Sequence, residues 1–146
     1  MKNNLKIDFN QGLDYRLLTD NICIYLKAMR RDQYKFAFDH PNEKEAVEKA
    51  INQLYSFGIK ANTWYVLVGF DSTLEEDFER VAFLRSKGER SYIMRYKDEY
   101  KYIPLAIWSN TKQLYRMNFK DFLHTPKRKK YLEFYMKHYP EIVEKY

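Results

Sequence analysis

Four short apolar runs recur along this chain at nearly constant intervals: Leu5 to Phe9, Lys35 to Phe38, Trp64 to Gly69 and Ser91 to Arg95. Their first residues, 5, 35, 64 and 91, are separated by 30, 29 and 27 positions. A strand, a crossover helix and the return to a parallel neighbour take about 30 residues. The stretches between the runs carry helical periodicity. Thr19 is placed as an N-cap ahead of Ile22, Leu26 and Met29, spaced i, i+4, i+7. Asn42 and Glu45 have capping-box spacing ahead of a stripe of Val47, Ala50, Ile51 and Leu54, with Gly58 as the stop. Thr73 and Glu76 repeat the box ahead of Leu74, Phe78, Val81 and Ala82, and Gly88 ends that helix. Strand and helix alternating at this period predict an α/β fold with a parallel sheet of about four β-α units.

Beyond Arg95 the period loosens. Residues 97–101 read as a loop, 104–114 as a helix, 119–124 as ambiguous and 127–138 as a basic, tyrosine-rich helix before Pro140. The expected organisation is a β-α domain over 1–103 and a helical, basic and aromatic tail over 104–146 packing on the same domain. At 146 residues, 45% of them hydrophobic, the chain is long enough to bury a core of its own. Fourteen Tyr and ten Phe point to many half-buried rings. A net charge of +6 favours anionic ligands in general terms.

Cys23 is the only cysteine, which excludes a disulfide framework and a cysteine-held metal within the chain. Among Ile22, Ile24 and Leu26 it reads as a buried structural thiol. The first residues lack the apolar stretch of a secretory signal, and no apolar run approaches a membrane span. The expectation is a cytoplasmic protein without a membrane partner.

In parallel α/β sheets, ligands bind beyond the carboxyl ends of the strands. The polar groups there are Asn10, Gln11, Asp14 and Arg16, then Asp39 and His40, then Asp71, Ser72 and Thr73, then Arg95. Thr73 and Asp39 are residue types that helix caps require anyway, whereas Gln11, Arg16 and Arg95 are not. The segment Tyr65-Val-Leu-Val-Gly-Phe-Asp-Ser-Thr-Leu-Glu-Glu-Asp77 runs from a buried strand through Gly69 into a capped helix. A glycine at that bend permits close approach by a ligand or by another part of the chain. The spacing matches neither GxxxxGK(S/T) nor GxGxxG.

The ordered set DFNQGLDYRLLTDN, KFAFDHPNEKEAVEKAINQLYSFGI, YVLVGFDSTLEEDFERVAFLRSKG and YIMRY, over residues 5–96, resembles the third to sixth β-α units of a radical S-adenosylmethionine (β/α) barrel. The resemblance implies a partial TIM-like barrel. It implies that Asp39, Leu67, Gly69 and Ser72 occupy cofactor positions, with Gln11, Asp14, Arg16, Asp71 and Arg95 on the substrate side. It also implies S-adenosylmethionine and a 4Fe–4S cluster for a full-length member. Of the family's GxIxGxxE motif, which falls on Tyr65, Leu67, Gly69 and Ser72, only Gly69 and the apolar Leu67 match. The CxxxCxxC and Gly-Gly-Glu segments are absent, so the chain alone is expected to hold no cofactor and to lack the family's activity.

His40, His124 and His138 are scattered without metal-ligand spacing. The run Lys127-Arg128-Lys129-Lys130, with Tyr131, Tyr135 and Tyr139 nearby, fits either a nucleic-acid surface or a solvated helix face. Two functions therefore stand side by side. One is the C-terminal part of a radical S-adenosylmethionine protein, supplying strand ends but not competent alone. The other is a free-standing α/β module for RNA or a protein partner. A partial barrel would also leave its inner sheet face bare, with Ile7 or Phe9, Phe36 or Phe38, Val66 or Val68, and Ile93 on it. The tail, a second copy as a homodimer, or the missing N-terminal half-barrel would have to cover that face.

Overall fold

The computed structural model describes residues 8–29 and 33–146. Three strands, β1 (Lys35–Ala37), β2 (Thr63–Val68) and β3 (Arg90–Arg95), form one parallel sheet in the order β1-β2-β3. Phe36 pairs with Trp64, and Trp64 with Ser91; further along, Val66 pairs with Ile93. Of the predicted first strand, Leu5 and Ile7 lie outside the described residues, and Phe9 is in coil. Among the described residues the chain meets the β1 edge at Leu13, through an isolated parallel bridge to Phe36 in which Leu13 N donates to Lys35 O at 2.7 Å.

The described residues also form seven α-helices: α1 (Asp20–Ala28), α2 (Lys44–Ser56), α3 (Leu74–Ser86), α4 (Tyr102–Asn110), α5 (Phe119–Leu123), α6 (Lys129–His138) and α7 (Pro140–Lys145). Thr19 caps α1 by accepting from Ile22 N. That helix buries Cys23 and Leu26, while Ile22 and Met29, expected on its inner face, are exposed. The inner stripe keeps the predicted Leu26 and takes Cys23 in place of Ile22, because Cys23 is as apolar as its neighbours. The box before α2 is built differently from the expected Asn42–Glu45 pair. A 3₁₀ turn over Pro41–Glu43 precedes the helix, and the Glu43 carboxylate accepts from Asp39 N and His40 N. Before α3, Thr73 and Glu76 cap each other reciprocally as predicted.

The helices cover one face of the sheet. Phe36, Phe38, Trp64, Val66, Val68 and Ile93 are buried beneath α2 and α3 in a single apolar cluster. Parallel crossovers of the same hand place their helices on the same side when the strand order advances in one direction, as β1-β2-β3 does. The opposite face carries Ala37, Tyr65, Leu67, Tyr92 and Met94; Tyr92 is 45% and Met94 48% exposed. The bare face is therefore the alternate register from the one expected. Phe36 or Phe38, Val66 or Val68, and Ile93 turn toward the helices. Parallel strands read as near-continuous apolar runs, so the sequence does not mark which alternate set points inward.

The tail leaves that bare face uncovered and joins the helical side. Phe119 meets Phe78 edge-on at 4.7 Å, Tyr146 stacks on Phe78 at 5.2 Å, and Trp108 packs against Phe119 at 5.4 Å. Helix α4 also closes the outer edge of β3. The Asn110 amide accepts from Ile93 N at 2.6 Å and donates to Ile93 O at 3.1 Å, in the manner of a neighbouring strand. Ser109 and Ser91 exchange a buried hydroxyl contact beside it. An edge whose polar groups are taken does not invite further pairing. No helix among the described residues is long and apolar enough to cross a membrane.

Candidate functional site

The strand ends converge on a buried ion pair. Asp77 and Arg80 lie three residues apart in the first turns of α3 and turn inward to the ends of β1 and β2. Arg80 donates to Phe38 O and to Leu67 O, each at 2.7 Å, and its guanidinium lies 5.6 Å from the centre of the Phe38 ring. The Asp77 carboxylate accepts from Arg80, from the Ser72 hydroxyl and from Gly69 N. The pair thus satisfies the Phe38 and Leu67 carbonyls and the Gly69 amide at the strand ends. Within the pair, Arg80 Nε is left buried without a partner. A buried pair of this kind is costly to break but adds little by itself over an apolar replacement.

Gly69 sits in the left-handed region at φ +74°, and a Cβ there would meet the Tyr102 ring at 2.8 Å. The close approach anticipated at this bend is that of Tyr102, reaching over from α4. Burial, followed by the nearby Asp77 charge, pushes the Tyr102 hydroxyl well above its ordinary value. Ser72 is committed to Asp77. Two of the four implied cofactor positions are thus engaged inside the protein. Leu67 remains half-exposed on the bare face. Asp39 is half-buried; burial raises its pKa first, and the Glu43 charge adds to that.

Asp14 and Arg16 form an exposed ion pair at 2.8 Å, and the hydrogen bond from Arg16 lowers the Asp14 carboxyl. Tyr15 between them is buried. Its hydroxyl is raised by burial and then by Glu43, with Asp14 and Asp39 adding to it. The Glu43, Asp14 and Asp39 charges thus bear on the Tyr15 hydroxyl, and the Arg80 charge bears on Asp39. Gln11 and Asp71 are exposed and hydrogen-bond no member of this set, and Arg95 turns to Asp98 at 2.6 Å. The sequence reading missed Asp77 and Arg80. Their signal was present: with Leu84 they occupy positions 77, 80 and 84, a core-facing spacing that a charge enters only when partnered.

A second feature spans the same ends. His40 follows β1, Phe70 follows β2 and Tyr96 follows β3. Their rings stand in a row, His40 to Phe70 at 6.5 Å and Phe70 to Tyr96 at 4.6 Å. Phe70 is 54% and Tyr96 53% exposed. Below them on the bare face Tyr65 meets Tyr92 edge-on at 5.8 Å, and the Tyr65 hydroxyl donates to Asn10 O.

The basic run of the tail is laid out otherwise. Tyr135 is fully buried and Tyr131 packs against Tyr100. Arg128 lies over the Phe122 ring at 5.4 Å, and Lys129 approaches Glu133 at 3.9 Å. Lys127, Lys129 and Lys130 are exposed, with the rings turned to the core. On the helical side, a cleft of about 650 Å³ is lined by Arg85, Trp108, Lys120 and Lys145, with Lys145 drawn to Glu75 at 2.6 Å. Among the described residues no group of three His, Cys, Asp or Glu side chains is placed to hold a metal. Comparison with protein-family models, with curated proteins and with solved structures finds no match to this chain.

Proposed function

We propose that this chain is the C-terminal part of a (β/α) barrel of the radical S-adenosylmethionine type, with Leu13, β1, β2 and β3 at four successive strand positions. The bare sheet face is then the inner wall of that barrel. One observation carries the reading: a parallel sheet in sequential order, with every crossover helix on one side and half-exposed Tyr92 and Met94 on the other. Parallel sheets are normally buried on both faces. The two edges differ in the same sense. The β3 edge is capped by Asn110, whereas among the described residues the β1 edge carries one bridge, at Leu13.

The cluster does not fit this chain, because its one thiol, Cys23, is fully buried in α1. Its thiolates belong to preceding units, and no step of the chemistry is assigned to the residues present. For the nucleoside end of S-adenosylmethionine the fit is partial. Leu67 offers an apolar contact and Asp39 a carboxylate, while Gly69 and Ser72 are already engaged.

The experiment is a hydroxyl-radical footprint of the 146-residue chain beside the product of the longer in-frame coding sequence. Tyr92 and Met94 are expected to label readily in the short chain and to be protected in the longer one, whose added segment carries CxxxCxxC. Absence of an in-frame upstream segment, or equal labelling of both proteins, overturns the reading.

A further inference from the structure

We propose that Ile22, Tyr25 and Met29, along one flank of α1, are the seat of a crossover helix from a β-α unit that precedes the Leu13 position in the longer polypeptide. The inference rests on the barrel reading and adds to it the outer partner of α1. Ile22, Tyr25, Leu26 and Met29 are spaced i, i+3, i+4, i+7, the stripe by which a helix packs on its neighbours. The protein buries Leu26 but leaves Tyr25 68%, Met29 41% and Ile22 39% exposed. The stripe therefore points sideways, past the core that Cys23 and Leu26 meet.

The direction of that flank is fixed by α2. Asp20 accepts from the Gln53 amide of α2 at 3.1 Å, and Lys27 donates to Gly58 O, just past α2, also at 3.1 Å. At about 100° per residue, Asp20 and Lys27 stand about 140–180° around α1 from Ile22, Tyr25 and Met29. The apolar flank thus faces away from α2. Helix α1 crosses from the Leu13 position to β1, and the strands advance in one direction with their helices on one side. A preceding crossover of the same hand lays its helix on that side too, beside α1 and opposite α2. Charge within α1 is confined to Asp20 and Lys27, both turned to α2. The occupant therefore meets the flank with an uncharged apolar stripe of its own. A second copy of the chain is a poor occupant. At ~200 Å² for a large side chain, the exposed parts of the three residues amount to roughly 300 Å², against the ~800 Å² per partner of a free-standing complex. A helix tethered through its own polypeptide needs no such area, because the connection sets its effective concentration.

Melting and hydroxyl-radical labelling of the 146-residue chain, beside the product of the longer in-frame coding sequence, test this. Tyr25→Ser should leave the melting temperature of the short chain within about 1 °C of the parent's. It should lower that of the longer product by about 4–10 °C. Tyr25→Phe should keep the parent's value in both proteins. Ile24→Ser, on the outer side of α1, should shift neither. Tyr25 and Met29 should label readily in the short chain and be protected in the longer one. No shift on Tyr25→Ser in the longer product, or the same shift in both, overturns the proposal. So does protection of Tyr25 and Met29 already in the short chain, which would seat another part of this chain on the flank. A dimer of the short chain by sedimentation that Tyr25→Ser dissolves would make the occupant a second copy and also overturn it. Failure of the flank and failure of the barrel are distinguishable. Protection of Tyr92 and Met94 in the longer product, with Tyr25 and Met29 still labelled, rejects the flank and leaves the barrel standing. Absence of an in-frame upstream segment, or equal labelling of all four residues in both proteins, rejects the barrel and this proposal with it.

Discussion

Replacing Glu89 by Gln should make the protein more stable at pH 8 and flatten its stability between pH 5 and 8. Glu89 lies just before β3 and is 1% exposed. Trp64 Nε1 donates to its Oε2 at 3.3 Å, while its Oε1 and the nearby Asn62 Nδ2 are buried without partners. Burial dominates, raising the carboxyl from 4.5 to about 7 against the hydrogen bonds that favour its ionised form. The charge acts back on its surroundings, since burial and then Glu89 push the Tyr55 hydroxyl up to about 12. The folded state therefore keeps a proton that the unfolded chain has lost. This contribution to stability is fully present below pH 4.5, falls as pH rises toward about 7, and is level above that. The full span corresponds to about 3 kcal/mol. Glutamine keeps the shape and an acceptor for Trp64 without the ionisation. Urea denaturation from pH 5 to 8 measures it. At pH 8 the variant's midpoint should lie about 1.5 M higher if the slope is about 2 kcal/mol/M. A parent whose stability does not change between pH 5 and 8, or a variant less stable than the parent at pH 8, refutes the reasoning.

Gly69→Ala should cost about 2–4 kcal/mol, from the left-handed backbone and from displacing the Tyr102 ring that a Cβ would meet at 2.8 Å; a melting temperature lowered by less than 2 °C would show the contact is loose. Arg80→Met should cost about 3–5 kcal/mol, because Asp77 is then buried without its cation and two strand-end carbonyls lose their donor; a loss under 1 kcal/mol by urea titration would mean that water replaces the guanidinium. Reconstitution of the 146-residue chain with iron and sulfide should give no stoichiometric 4Fe–4S absorption, since Cys23 is its only cysteine and is buried; four irons bound per chain would contradict that.

The local order of this protein is legible in its sequence. Apolar runs at regular intervals, the reciprocal Thr73–Glu76 cap and the positive-φ stops at Gly58 and Gly88 are short-range chemistry, and the elements from β1 to β3 form at or within a few residues of their predicted places. Burial of Cys23 follows in the same way from its apolar neighbours. Three things were settled only by tertiary structure. The inward set of strand residues depended on where the helices pack, because alternate positions such as Leu67 and Val68 are equally apolar. The partners of Asp77 and Arg80 are strand-end carbonyls from distant parts of the chain, which no local spacing specifies. Gly69 read as open to a ligand or to another part of the chain, and only the packing of α4 made the occupant Tyr102. A sequence records propensity along the chain, whereas contacts across it are chosen by which surfaces exclude water together.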